Sequence, residues 1–160
     1  MIIVSDTTLF SNFLQIGELD ILRKVHQQVF IPPAVHREVL KLENRVDLSD
    51  FLTANWIKVQ AVNDQNEVKS LLDEIDLGES EAIILAKETN ADLILTDDKD
   101  ARKVAQRMGF KISGTIGVLL DAKNLKVIIA IKPFLDAIIS KAGFRISSTF
   151  YNKILLIADE

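Results

Sequence analysis

Short apolar runs alternate with helix-patterned segments along the whole chain, and this alternation restricts the fold more than any other feature. Ile2-Ile3-Val4, Val29-Phe30-Ile31, Trp56-Ile57-Lys58-Val59, Asp92-Leu93-Ile94-Leu95-Thr96 and Phe110-Lys111-Ile112 read as five strands. Apolar runs without polar alternation are the pattern of parallel strands covered on both faces. Between them, helical spacing predicts helices over 7–15 and 18–26, and another opened by Pro33 that carries Val35, Val39, Leu42 and Val46. Proline suits the first helical position, which needs no N–H donor. A turn of helix is expected over 48–54 and an amphipathic helix over 64–75, broken at Gly78. A buried helix follows over 79–88, with the apolar centre Ala82-Ile83-Ile84-Leu85-Ala86, and then a basic helix over 100–108. Segments 114–123, 131–141 and 148–158 complete the tail. Strands alternating with helices predict an α/β chain with a parallel sheet covered on both faces.

At 160 residues, with no repeat and no Pro-, Gly- or Ser-rich linker, residues 1–160 are expected to form a single domain. The chain contains no cysteine, which excludes disulfides, thiolate metal sites and thiol nucleophiles. No apolar run approaches the roughly 18 residues that span a bilayer. The first residues lack the basic region of a signal peptide, so a soluble, cytoplasmic protein is expected. The net charge of −4 conceals an asymmetry. Residues 1–98 carry 8 Lys and Arg against 18 Asp and Glu, whereas residues 99–160 carry 11 against 5. An acidic centre beside a basic flank suits cations on one side and phosphates on the other.

Ligands of open parallel sheets bind outside the carboxyl ends of the strands. Two of the predicted strands end in aspartate there, the first at Asp6 and the fourth at Asp97-Asp98. A two-metal site needs carboxylates converging on cations roughly 3.5–4 Å apart, and Mg²⁺ prefers such hard oxygen donors. The start of the 79–88 helix offers Glu79 or Glu81. Two residues apart on a helix is roughly 200°, so only one of them can face the site. Glu81, which leads into the buried apolar run, is the better placed. Each acid alone also has an ordinary reading, as a helix-terminal charge or a turn cap. Dinucleotide and Walker loops are absent, as is a Gly-x-Ser-x-Gly elbow. His26 and His36 fall in predicted helices among polar neighbours and read as surface residues.

Several segments resemble PIN domains. Val4-Ser5-Asp6-Thr7-Thr8 is similar to their opening motif, and Ile31-Pro32-Pro33-Ala34-Val35-His36-Arg37-Glu38-Val39 to their second strand and glutamate-bearing helix. Gly78-Glu79-Ser80-Glu81-Ala82-Ile83 and Leu95-Thr96-Asp97-Asp98-Lys99-Asp100-Ala101-Arg102 are similar to the third and fourth motifs. Ser113-Gly114-Thr115-Ile116-Gly117-Val118-Leu119-Leu120 and Ala142-Gly143-Phe144-Arg145-Ile146-Ser147 resemble the DUF3368 subgroup.

The resemblance implies an α/β/α sandwich around a central parallel sheet. It implies a ribonuclease dependent on Mg²⁺ or Mn²⁺, of the kind found among VapC-like toxins held by a small antitoxin. It also implies a metal site built from Asp6, Glu38, Glu81 and Asp97 or Asp98, with Glu79 and Asp100 as neighbouring candidates. Helix geometry does not distinguish Glu38 from Glu43, so the choice of Glu38 belongs to the resemblance alone.

The expectation is therefore endoribonucleolytic hydrolysis of RNA, with Lys99, Arg102, Lys103 and Arg107 tracking the phosphate backbone. The alternatives are a catalytically weak protein-binding module and a receiver- or phosphatase-like domain. The last lacks an Asp-x-Asp pattern at Asp6-Thr7-Thr8. The apolar tail, with Ile138 as the suggested contact, carries an expectation of a homodimer or an antitoxin interface.

Overall fold

The structure, a computed structural model, describes residues 1–160. Its elements in chain order are β1 (Ile3–Ser5), α1 (Thr7–Gln15), α2 (Leu19–His26), β2 (Val29–Ile31), α3 (Pro33–Leu40), α4 (Ser49–Leu52) and β3 (Ile57–Val59). They continue as α5 (Gln65–Ser70), α6 (Leu77–Thr89), β4 (Leu93–Leu95), α7 (Lys99–Arg107), β5 (Ile112–Ser113), α8 (Thr115–Asn124), α9 (Lys132–Ala142) and α10 (Ser148–Ile157). The five strands form one sheet in the order β3-β2-β1-β4-β5, and every pairing is parallel. The register places Val4 beside Phe30 on one flank and beside Ile94 on the other.

Successive strand side chains point to opposite faces of the sheet, and the core divides accordingly. Ile3 and Leu95 join the layer formed with α1, α2, α3, α8, α9 and α10. Val4 and Ile94 join the layer built on α5, α6 and α7. The result is the expected α/β/α sandwich. The chain crosses from β1 to β2 and β3 on one side, then returns to place β4 on the other side of β1. The strand order thus reverses between β1 and β4, and a crevice opens above their carboxyl ends.

Several boundaries differ from the sequence expectation. The 64–75 segment is helical only to Ser70 and then turns, although Val68, Leu71 and Ile75 still bury their apolar side. Helix α3 ends at Leu40, so Leu42 and Val46 reach the core from turns rather than from the helix. Gly78 does not end a helix; it lies in the first turn of α6, which begins two residues earlier than expected. The tail is largely core: Ile131, Leu135, Ile138 and Ile154 are buried. Ile138 is fully enclosed and cannot be a contact with another chain. No helix is long and apolar enough to cross a membrane.

Candidate active site

Asp6 follows β1 directly and caps α1. Its Oδ1 accepts hydrogen bonds from the Thr8 backbone N–H and hydroxyl, both at 3.1 Å. Its own backbone N–H donates to the Leu95 carbonyl at the end of β4, which ties it to the switch point. Only 2 % of the residue is exposed, and Oδ2 is buried without a hydrogen-bond partner. Burial pushes its carboxyl up to about 7, and the Asp97 charge adds to the rise. The Thr96 and Thr8 side chains and the Leu9 backbone N–H pull it part of the way back.

Asp6 lies in a cleft of about 510 Å³ lined also by Thr7, Thr8, Ser11, Glu38, Asp76, Glu79, Asp97, Asp98, Lys99, Phe144 and Arg145. Glu38 reaches it from α3 and accepts a hydrogen bond from the Thr7 hydroxyl. Close packing of α3 against the first turn of α6 makes this possible. A Cβ on Gly78 would lie 2.6 Å from Glu38 Oε1, so a larger residue there would have to displace the carboxylate.

The two α6 acids take opposite positions, and not those expected. Glu79 lines the cleft, whereas Glu81 does not. Because α6 starts at Leu77, Gly78 and Glu81 share the face turned towards α3. The buried Glu81 accepts the Ala34 backbone N–H at 3.0 Å, satisfying a donor in the first turn of α3 that has no partner within its own helix. Glu79 forms a reciprocal capping box with Asp76: Asp76 Oδ1 accepts from Glu79 N–H, and Glu79 Oε2 accepts from Asp76 N–H. Burial raises the Glu79 carboxyl to about 7, with the Asp76, Asp98 and Asp6 charges adding to it and the Asp76 backbone N–H opposing.

Asp97 and Asp98 both line the cleft but have further work in the fold. Asp97 Oδ1 accepts from Thr115 N–H at 2.9 Å, and Oδ2 accepts from the Thr115 hydroxyl at 2.5 Å and from Asn12 Nδ2 at 3.2 Å. It thereby holds the first turn of α8 and the buried Asn12 of α1 to the end of β4. Asp98 caps α7 through Oδ1, accepting from Ala101 N–H at 2.8 Å. Asp100 is exposed and outside the cleft.

The basic residues divide as well. Lys99 lines the cleft, and Arg102 borders the adjoining groove while its Nε donates to the Thr96 carbonyl at 2.8 Å. Arg107 instead makes a two-pronged pair with Glu74 at 2.9 and 2.7 Å, away from the cleft, and Lys103 lines neither space. Arg145, which the sequence reading did not single out, reaches the cleft from the segment before α10. The histidines stay outside it. His36 packs on Phe51, and His26 is half-buried rather than superficial, its Nε2 without a partner.

A cleft rich in carboxylates, with a buried orphan oxygen on Asp6 and two acids pushed to about 7, is built for bound positive charge. The donors are all hard oxygens, the set suited to Mg²⁺ or Mn²⁺. No three acidic or histidine side chains lie close enough together to cage an ion on their own. A Mg²⁺-type ion retains several waters and does not require such a cage.

A PIN domain is what this sheet order and these strand-end acids define. The chain belongs to the DUF3368 family of PIN domains, whose family model matches residues 2–160. PIN domains are nuclease folds that bind nucleic acid, and their members generally use divalent metals. No curated protein matches the chain.

Proposed function

We propose that the protein is a metal-dependent endoribonuclease that hydrolyses RNA phosphodiesters at the Asp6 cleft. The observation that carries the reading is the buried, unpartnered Oδ2 of Asp6 at the β1/β4 switch point, on a cleft that Glu38, Glu79, Asp97 and Asp98 also line. Asp6 would hold Mg²⁺ or Mn²⁺, with Glu38, Glu79 and Asp98 as further donors from the same cleft, directly or through the waters such an ion keeps. Asp97 is a weaker candidate, since both of its oxygens already hold α8 and Asn12. Glu81, expected in the site from its helix position as well as from the resemblance, serves here as the acceptor that anchors α3.

A bound cation supplies Lewis-acid stabilisation of phosphate charge and a more acidic water. The protein's own groups contribute the rest. Thr7 holds the Glu38 carboxylate in place. Burial holds the metal-free Glu79 carboxyl at about 7, so taking up a cation there would release a proton near neutral pH. Lys99 and Arg145 at the cleft bind the phosphates flanking the cut.

The reading extends to a toxin restrained by a small antitoxin, or to a homodimer. Leu156 and Ile157 on α10 support a partner of some kind, since both are well exposed. A second reading, a binding module with little catalysis, is favoured by the use of Asp97 and Asp98 as helix caps.

Incubation of labelled single-stranded RNA separates the two readings. The nuclease yields internal cleavage products with Mg²⁺ or Mn²⁺ and none with chelator. Intact RNA under every metal condition favours the binding module.

A further inference from the structure

Beside the acidic cleft lies a second and larger space, a groove of about 720 Å³ between the start of α8 and the segment leading into α10. Asp97, Phe144 and Arg145 line both spaces, so the two adjoin along one wall. Gly114 and Gly117 line the groove, and lacking side chains they let neighbouring groups pack closely against this wall. A Cβ on Gly114 would lie 2.3 Å from Asp97 Oδ1 and 2.4 Å from an Arg102 terminal nitrogen, and one on Gly117 would lie 2.1 Å from Ser113 Oγ. Phe144 and Phe150 supply aromatic surface, and Phe150 is 44 % exposed. Arg102 is steadied by the Thr96 carbonyl and lies near the Asp97 carboxylate without forming an ion pair with it, and Arg145 forms no ion pair.

We propose that this groove is a base-binding subsite for single-stranded nucleic acid, in which a base beside the cleft lies against Phe144 and Phe150 while Arg102 and Arg145 hold its phosphates. The proposal rests on the nuclease reading, because it is the strand crossing the acidic cleft that delivers a base here. Aromatic rings interleaved with unpaired arginines are the combination that grips single strands, because every base has a face to stack and every linkage carries charge. A double helix keeps its bases stacked internally and cannot use the rings. The subsite therefore selects unpaired nucleotides next to the cut. The apolar share of the lining would also suit a partner protein's side chain, but the two unpaired arginines and the wall shared with the acidic cleft favour a nucleotide.

The test measures affinity of the full-length protein for a fluorescein-labelled oligoadenylate RNA by anisotropy, in chelator so that no strand is cut. A parallel series of the same RNA carries a single abasic site moved along the strand. Phe150→Ala, on a partly exposed position, and Phe144→Leu, which keeps apolar volume but removes the ring, should each weaken binding about tenfold. One abasic position should weaken binding to the wild type by a similar factor, yet have almost no effect on Phe150→Ala. A general loss of structure would not produce that position-specific silence.

Unchanged affinity in both variants, or an abasic series that affects wild type and variant alike, overturns the subsite. A groove that docks protein instead gives the first of these results. The nuclease reading is scored separately by cleavage with Mn²⁺. Unchanged affinity with RNA still cut removes the subsite alone, whereas the abasic signature with no cutting by any metal removes the nuclease and keeps the subsite.

Discussion

Asp6 carries the most consequential charge in the molecule, because the fold buries a carboxylate oxygen and gives it nothing to accept. Its ordinary value of 3.8 rises to about 7 on folding. Between those values the folded state holds a proton that the unfolded chain releases. Stability of the metal-free protein should therefore fall as pH rises from about 4 to about 7, and this contribution is fully lost above that range. Asp6→Asn should make the slope shallower, Glu79 supplying the remainder, and raise the melting temperature at pH 8 by about 2–4 °C for each kcal/mol relieved. Thermal melts across pH with chelator present check this, and a slope unchanged in the variant would remove the burial argument.

Glu79 and Glu81 separate along the same lines. Glu79→Gln should reduce metal-dependent cleavage by about tenfold or more, as for a lost metal-site contact, while removal of the half-buried charge should keep the metal-free protein at least as stable above pH 7. Glu81→Ala should cost about 1–3 kcal/mol of stability, because it leaves the buried Ala34 N–H unsatisfied, and should spare the chemistry of the molecules that remain folded. Denaturant titration beside a cleavage assay distinguishes them.

At the scale of elements, the site consists largely of helix starts brought to strand ends. Asp6 caps α1, Asp98 caps α7, and Asp97 holds the first turn of α8. The same carboxylates that position the helices thus line the cleft. Gly78 is the clearest lever between packing and chemistry. Gly78→Ala should displace Glu38 and lower activity several-fold while α6 itself, which prefers alanine to glycine, keeps its stability. Circular dichroism melts and initial rates check both halves of that statement.

This is also the scale at which the sequence was legible and then ceased to be. Apolar runs identify β1, β2 and β4 because a strand buried on both faces has little compositional freedom. Their terminal aspartates followed directly, and Asp6, Asp97 and Asp98 do line the cleft. The choice between Glu79 and Glu81 depended on where α6 begins, and it is Glu79 that lines the cleft. That boundary is set by the Asp76–Glu79 capping box, a signal present in the sequence as Asp76-Leu77-Gly78-Glu79. Arg145 and the groove wall at Gly114 and Gly117 could not be read from local pattern, since they depend on how α10 returns across α8.

At the scale of the whole molecule, the sheet order determines where everything else must go. The reversal between β1 and β4 opens one crevice, and residues distant in sequence meet there: Asp6, Glu38, Glu79 and Asp97. The basic C-terminal part contributes Lys99 and Arg145 to the same crevice, which gives the charge asymmetry of the chain a structural location. The tail beyond it is mainly core, but Leu156 remains 77 % exposed. Leu156→Glu should leave stability within about 0.5 kcal/mol and lower the mass seen in light scattering if α10 joins two copies. A wild-type monomer at every concentration would remove the homodimer.

Whether Asp6 holds the metal on which RNA cleavage depends is read by comparing wild type with Asp6→Asn on labelled single-stranded RNA in Mn²⁺. The amide keeps the shape of the side chain and removes the charge that the cation needs. The wild type should cleave, chelator should stop it, and folded Asp6→Asn should be slower by about a hundredfold or more. Cleavage by Asp6→Asn at the wild-type rate would contradict a metal-holding role for Asp6.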